Sequence, residues 1–342
     1  MKRSSPQRTH RIWPRMAHGL VAVAVVALTA FAFGEARQRQ PNVEYIQALR
    51  SQLDLAKPDV ILLGDSMLGE GVDQDGFSSL TGASTAKIAP NGAASAYWYL
   101  MIKNIIAETR YRPILLVLFF RDHFLTEPSF RVHDIYKMRI DQLALDQEEL
   151  LDRLAYWPTL NPLERFLQGH VRMYQGRDEF KATLDNGVKA TIALLFGHEA
   201  SASEEAIARV FSEGNMVPES MNERQLEAEQ AQSDNAYDFP KRLPLSFLPS
   251  MVDIAKGSGI QLAFVRFKRR RDLEPDQQPA ALAQYMKDLQ AYFEENDIPL
   301  IDFTDDARIQ PEHYGNGDHL NRDLGRSLFT RMVSEALAPY VP

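Results

Sequence analysis

The sequence predicts an α/β protein, a three-layer α/β/α sandwich on a five-stranded parallel sheet, with a helical insertion between the third and fourth strands. Three observations carry this reading. Five short apolar runs rich in Val, Ile, Leu and Phe are spaced along the chain. Those runs are nearly continuous in apolar character, as strands covered on both faces require. Segments with helical spacing separate them, and repeated strand–helix–strand units close onto a sheet through right-handed crossovers.

In chain order the strands are expected at Asp59–Leu63, Ala86–Ala89, Pro113–Phe120, Ile260–Phe267 and Pro299–Phe303. Ser95–Thr109 reads as the crossover helix between the second and third. Leu248–Lys256 precedes the fourth, and Pro279–Asn296 precedes the fifth. In the latter, Ala280, Leu282, Tyr285, Met286, Leu289 and Tyr292 fall roughly on one stripe. A last helix, Leu324–Ala338, closes the fold. The α/β domain therefore spans residues 41–125 and 245–342. The insertion, 126–244, is too long for one crossover. It carries helical stretches at Asp141–Ala155, Asp178–Phe196 and Ser203–Phe211, then a Gln- and Glu-rich segment at Met221–Asp238 that reads either as a flexible arm or as a disordered spacer.

The first forty residues differ from the rest. Lys2, Arg3, Arg8, Arg11 and Arg15 form a basic tail over residues 1–15, ahead of an uncharged apolar stretch from Met16 to Gly34. Such a segment is an export signal or a membrane anchor. Ala30-Phe31-Ala32 has the form of a cleavage site, but no helix breaker precedes it, so an uncleaved signal anchor is favoured. The positive-inside rule then leaves the amino terminus cytoplasmic and the remainder in the periplasm, a single-pass protein of a bacterial inner membrane. Cysteine is absent, which excludes disulfides and thiol chemistry. Beyond residue 40 the chain holds 31 basic against 45 acidic residues, so nucleic acid is not expected as a partner. No His or carboxylate spacing suggests a metal, and no cofactor is expected.

Two segments about 250 residues apart carry the chemistry: Val60-Ile61-Leu62-Leu63-Gly64-Asp65-Ser66, and Asn316-Gly317-Asp318-His319-Leu320-Asn321. An apolar strand running into Gly-Asp-Ser places a hydroxyl at the carboxyl edge of a sheet, where sites collect, and a late histidine can return there as its base. Gly64 permits the sharp turn this needs. Ser66 also suits a helix N-cap, with no chemistry implied.

With Asn91-Gly92-Ala93-Ala94-Ser95 after the second strand and Gly325 after the histidine, these motifs resemble the SGNH/GDSL hydrolase superfamily over the five strands and the last helix. The resemblance implies Ser66 as nucleophile, His319 as base, and the Ser66 and Gly92 amides as oxyanion donors. Two positions depart from the pattern. Asn316 stands where the superfamily has an aspartate, so the site works as a dyad, uses the asparagine carbonyl, or recruits Asp318. After the third strand, Arg121 stands where an asparagine is expected. It could donate to the oxyanion, bind an anionic acceptor or simply pair with Asp122, and Asn91 could supply the missing amide. His123 reads as a surface histidine more readily than a catalytic one, and Lys268-Arg269-Arg270-Arg271-Asp272 as a solvated loop or, at that sheet edge, a contact for an anionic glycan.

Anchored proteins of this resemblance act in acyl transfer to envelope polymers beside a membrane-bound O-acyltransferase. The expected function is serine-dependent acyl, typically acetyl, transfer to or from an extracytoplasmic polysaccharide through a Ser66 acyl-enzyme. An acetylesterase or lipase, or a non-catalytic envelope assembly protein with a decayed site, are the alternatives.

Overall fold

A computed structural model describes residues 42–145, 148–159, 234–273, 278–315 and 317–341. The apolar segment 16–34 and the insertion's expected helices at 178–196 and 203–211 lie outside them. Among the described residues no helix is long and apolar enough to cross a membrane.

In chain order the elements are α1 (Val43–Ala56), β1 (Val60–Leu63), α2 (Ser66–Gly71), α3 (Gln74–Thr81), β2 (Thr85–Ile88), α4 (Ser95–Leu100), β3 (Leu115–Phe120), α5 (Asp134–Leu143), α6 (Glu149–Leu151), α7 (Phe239–Arg242), α8 (Leu248–Gly257), β4 (Gln261–Arg266), α9 (Ala280–Glu295), β5 (Leu300–Asp302) and α10 (Gly325–Leu337). All strand pairings are parallel, in the order β2-β1-β3-β4-β5. The five expected strands are present, each within two residues of its expected ends. The expected crossover helix after β2 is α-helical only through Leu100. It widens to a π-helical stretch over Met101–Ile105 and ends in a 3-10 turn at Ile106–Glu108.

The sheet is covered on both faces, and the period-2 alternation of its side chains divides the core in two. Ile61, Leu63, Leu116, Leu118 and Phe264 point to one side. They pack with Ile46 and Leu53 of α1, Trp98 of α4, Met251 and Val252 of α8, and Tyr285, Leu289 and Phe293 of α9. Val60, Leu62, Leu115, Val117, Ala263 and Val265 point to the other, against Met67 and Leu68 of α2, Phe77 of α3, and Phe329, Met332 and Val333 of α10. β1 and β3 are wholly buried, which is why no polar residue interrupts their sequences.

This doubly wound order has one topological consequence. The chain leaves β1 toward β2 on one side and resumes at β3 on the other, so a crevice opens at the carboxyl ends of β1 and β3. Ser66 lies three residues past the end of β1, and Arg121 directly follows β3.

Candidate active site

β1 runs into Gly64, where a side chain has no room: an added Cβ would lie 2.9 Å from Leu68 Cβ and 3.1 Å from Phe119 Cβ. Glycine therefore lets α2 turn back tightly over the sheet. Asp65, not Ser66, caps that helix, its Oδ1 accepting from the Met67 amide at 2.9 Å. This corrects the N-cap alternative for Ser66. The capping role belongs to its neighbour, and the serine occupies the first helical position with its hydroxyl free for other work.

His319 arrives from the far end of the chain. Its loop is closed by an antiparallel bridge between Tyr314 and Leu320, by the Gly315 amide donating to the His319 carbonyl at 2.8 Å, and by the Asn321 amide donating to the His313 carbonyl at 2.8 Å. Asn321 Oδ1 in turn accepts from the amides of Leu324 and Gly325, which joins the loop to the start of α10. So held, His319 Nε2 lies 2.8 Å from Ser66 Oγ across 253 residues of sequence. Glu70 ties the two carriers together. Its carboxylate meets Arg322 Nε at 2.8 Å and Arg326 Nη2 at 2.8 Å, and Arg326 Nε also donates to the Glu70 carbonyl at 2.7 Å.

The remaining candidates are distributed around this pair. Asn316 lies outside the described residues. Asp318 is taken up by arginine: its Oδ2 accepts from Arg269 Nε at 2.8 Å and its Oδ1 from the Arg270 amide at 3.0 Å, with Arg121 Nη1 at 3.9 Å. Burial alone would raise the Asp318 carboxyl, but the charges of Arg269 and Arg121 and these hydrogen bonds hold it below its ordinary value. Asp318 thus fastens the histidine loop to the segment after β4.

Arg121 does not pair with Asp122, which corrects one of its expected roles. Instead its guanidinium stands over the Phe124 ring and leans on Asp65 at 3.5 Å and Asp318 at 3.9 Å, the carboxylates beside Ser66 and His319. Its Nε is buried without a hydrogen-bond partner. Gly92 sits in the turn after β2 with φ +76, and an added Cβ would lie 2.2 Å from Tyr136 Cε1, so only glycine fits. Asn91 is exposed in the same turn, and its carbonyl accepts from Arg139 Nη1 at 2.7 Å.

Two expectations are overturned by burial. The run 268–271 is not a solvated loop: Arg269 and Arg271, together with Arg266 at the end of β4, converge on Asp122, which is 2% exposed, at 2.7, 2.6 and 3.0 Å. Burial would raise the Asp122 carboxyl, but the three guanidinium charges drive it far below the usual carboxylate range. Nearby Asp272 goes the other way, raised to about 6 by burial and by the negative charge of Asp122. His123 is likewise buried, packed on Phe124 and Tyr237, with Nε2 2.9 Å from Glu127 Oε2 but poorly aligned for a hydrogen bond. The Asp122 cluster was the feature that sequence reasoning missed. Its available signal was the arginine spacing after a buried strand, coupled with a lone aspartate after another.

No family model matches the chain, and no curated protein matches it. Among solved structures, a GDSL-like lipase from Bacteroides thetaiotaomicron aligns at 12% identity over 87% of this chain and 97% of that one, with a TM-score of 0.38. A candidate acylhydrolase from Bacteroides fragilis aligns at 13% identity over 83% and 88%, with a TM-score of 0.38. A carbohydrate esterase family 2 enzyme with a carbohydrate-binding domain, from a Corynascus species (Myceliophthora fergusii), aligns at 10% identity over 82% and 65%, with a TM-score of 0.34. At these scores the likeness carries no weight for function, which rests on the chain's own residues.

Proposed function

We propose that the chain is a serine-dependent ester enzyme that passes an acyl group through Ser66. The observation that carries this is the 2.8 Å contact between Ser66 Oγ and His319 Nε2 at the carboxyl edge of the sheet, beside the crevice of the strand order. A serine hydroxyl is a weak nucleophile until an imidazole takes its proton, and the two groups stand at the distance that transfer requires.

In the first half-reaction Ser66 Oγ attacks the ester carbonyl while its proton passes to His319 Nε2. The oxyanion formed is held by the Ser66 amide, at the start of α2, and by the Gly92 amide. The alkoxide then leaves with the proton from His319, and the acyl group remains on Ser66. In the second half-reaction His319 takes a proton from the incoming hydroxyl, which attacks the acyl-enzyme and frees the serine. With a sugar hydroxyl as acceptor the reaction is acyl transfer to an extracytoplasmic polysaccharide, the reading favoured by the basic-then-apolar amino terminus, with a membrane-bound O-acyltransferase as the donor partner. With water it is ester hydrolysis.

The test is acetate release from 4-nitrophenyl acetate by the full chain in detergent, beside Ser66→Ala and His319→Ala. Loss of turnover in both, with an acetyl group recovered on Ser66 of the parent by mass spectrometry, supports the reading. A parent that neither turns over nor becomes acylated overturns it in favour of an assembly role. Added oligosaccharide then separates transfer from hydrolysis.

A further inference from the structure

A small, half-open pocket lies between the turn after β2 and α5, with Gly92, Tyr97, Arg131, Tyr136 and Arg139 in its wall. No acidic residue lines it, although the chain as a whole carries a net charge of −8. Among the described residues neither arginine forms an ion pair with a carboxylate. Arg131 stacks on Phe130 and Tyr136, with its guanidinium carbon 4.9 and 5.6 Å from the ring centroids, and meets no carboxylate. Among the described residues Arg139 donates to the Asn91 carbonyl alone. Elsewhere around the site the pattern is the opposite: Arg266, Arg269, Arg271, Arg322 and Arg326 are all bound to aspartate or glutamate.

Arg131 is also held at a cost. It is half-buried, its φ is +53, a region a long side chain rarely adopts, and it lies within electrostatic reach of Arg121, whose like charge works against it. A cation kept partly desolvated, backbone-strained and facing another cation is stabilised when an anion enters beside it. Asp65 also lies within that reach, so the pocket and Ser66 share one electrostatic neighbourhood.

We propose that this pocket is an anion subsite, in which Arg131 grips a carboxylate carried by the substrate and Arg139 lends a second positive charge. The planar fork of a guanidinium matches a carboxylate with two parallel N–H donors. Taken with the proposed polysaccharide acceptor, the substrate class is an acidic sugar ester or acidic glycan acceptor. The word substrate rests on the ester reading of Ser66, whereas the anion subsite itself does not.

The full chain carrying Ser66→Ala is titrated calorimetrically with trigalacturonate, with neutral maltotriose and with inorganic sulfate. Trigalacturonate binds, weakens on adding salt, and weakens by about tenfold or more in an added Arg131→Gln, with partial recovery in Arg131→Lys. Maltotriose does not bind, and sulfate binds more weakly. Equal binding of maltotriose, sulfate as tight as the uronate, or an Arg131→Gln chain of unchanged affinity overturns the proposal. Should Arg131→Gln lower the melting temperature, Arg139→Gln gives the same reading from the other wall, with a smaller loss expected. With Ser66 intact, Arg131→Gln raises KM for an acetylated uronate by a larger factor than KM for 4-nitrophenyl acetate. Uronate binding without ester turnover leaves the subsite standing and removes the ester reading. Turnover without uronate binding does the reverse.

Discussion

Replacing Arg269 by glutamine is the substitution that most directly probes how the histidine loop is held. Arg269 is 3% exposed and joins two carboxylates, Asp122 at 2.7 Å and Asp318 at 2.8 Å. Asp122 keeps Arg266 and Arg271, so most of the loss falls on Asp318, left with the Arg270 amide and an Arg121 at 3.9 Å. Breaking a buried pair from one side costs about 3–5 kcal/mol, and the partners that Asp318 retains put the expectation at about 3 kcal/mol. The sign with pH follows from the Asp318 carboxyl, which is held low in the folded chain. Its contribution is present above the unfolded value near 4 and fades as pH falls through the folded value. The variant's deficit is therefore largest at neutral pH and shrinks below about pH 4. Turnover drops as well, because a loop displaced by about 1 Å costs on the order of a hundredfold. Urea unfolding from about pH 2 to pH 8, with 4-nitrophenyl acetate turnover at pH 5 to pH 8, measures both, and Arg269→Gln with Asp318→Asn recovers most of the stability by removing the orphaned charge. An Arg269→Gln chain with native stability and native turnover from pH 5 to pH 8 would refute the reasoning.

Three further outcomes are expected. Ser66→Ala and His319→Ala each reduce ester turnover by about a thousandfold or more with unchanged far-ultraviolet circular dichroism, since the pair acts as one unit. Gly92→Ala places a methyl group 2.2 Å from Tyr136 Cε1 at φ +76 and destabilises by about 1–3 kcal/mol, read as a lower melting temperature, with loss of turnover if the Gly92 amide serves the oxyanion. Asp272, raised from 3.8 to about 6, keeps a proton in the folded chain that the unfolded chain has released, so it lowers stability as pH rises from about 4 to about 6. Between pH 4 and pH 7 the stability of Asp272→Asn relative to the parent moves in the variant's favour by up to about 3 kcal/mol, measured by urea unfolding at both ends.

What could be read from the sequence follows burial. β1 and β3 are covered on both faces, so their apolar runs need no partner information to be recognised. By contrast α2 has six residues, two of them glycine, and α3 has eight, too short for a helical period to emerge. α1 was missed for a related reason, since only Ile46 and Leu53 of its fourteen residues are buried. At the site, Ser66 and His319 were legible because their chemistry sits in short local motifs. The Asp122 cluster was not. A run of arginines looks solvated until the sheet places Arg266 beside β3, and the carboxylate that meets it is 144 residues away. The Arg121–Asp122 pair failed for the same reason: adjacency in sequence suggested it, whereas φ +43 at Asp122 turns that carboxylate away toward the arginines of β4 and its following turn.

The 253 residues between Ser66 and His319 also set a schedule. Synthesis delivers the hydroxyl early and its base almost last, after β4, β5 and the charged clasp around Asp122 have been made. A ribosome-bound chain therefore carries an inert serine through most of its elongation. The Ser66–His319 contact forms only once the terminal helix is free to dock. On the ester reading proposed for Ser66, that delay keeps half-finished copies from attacking esters.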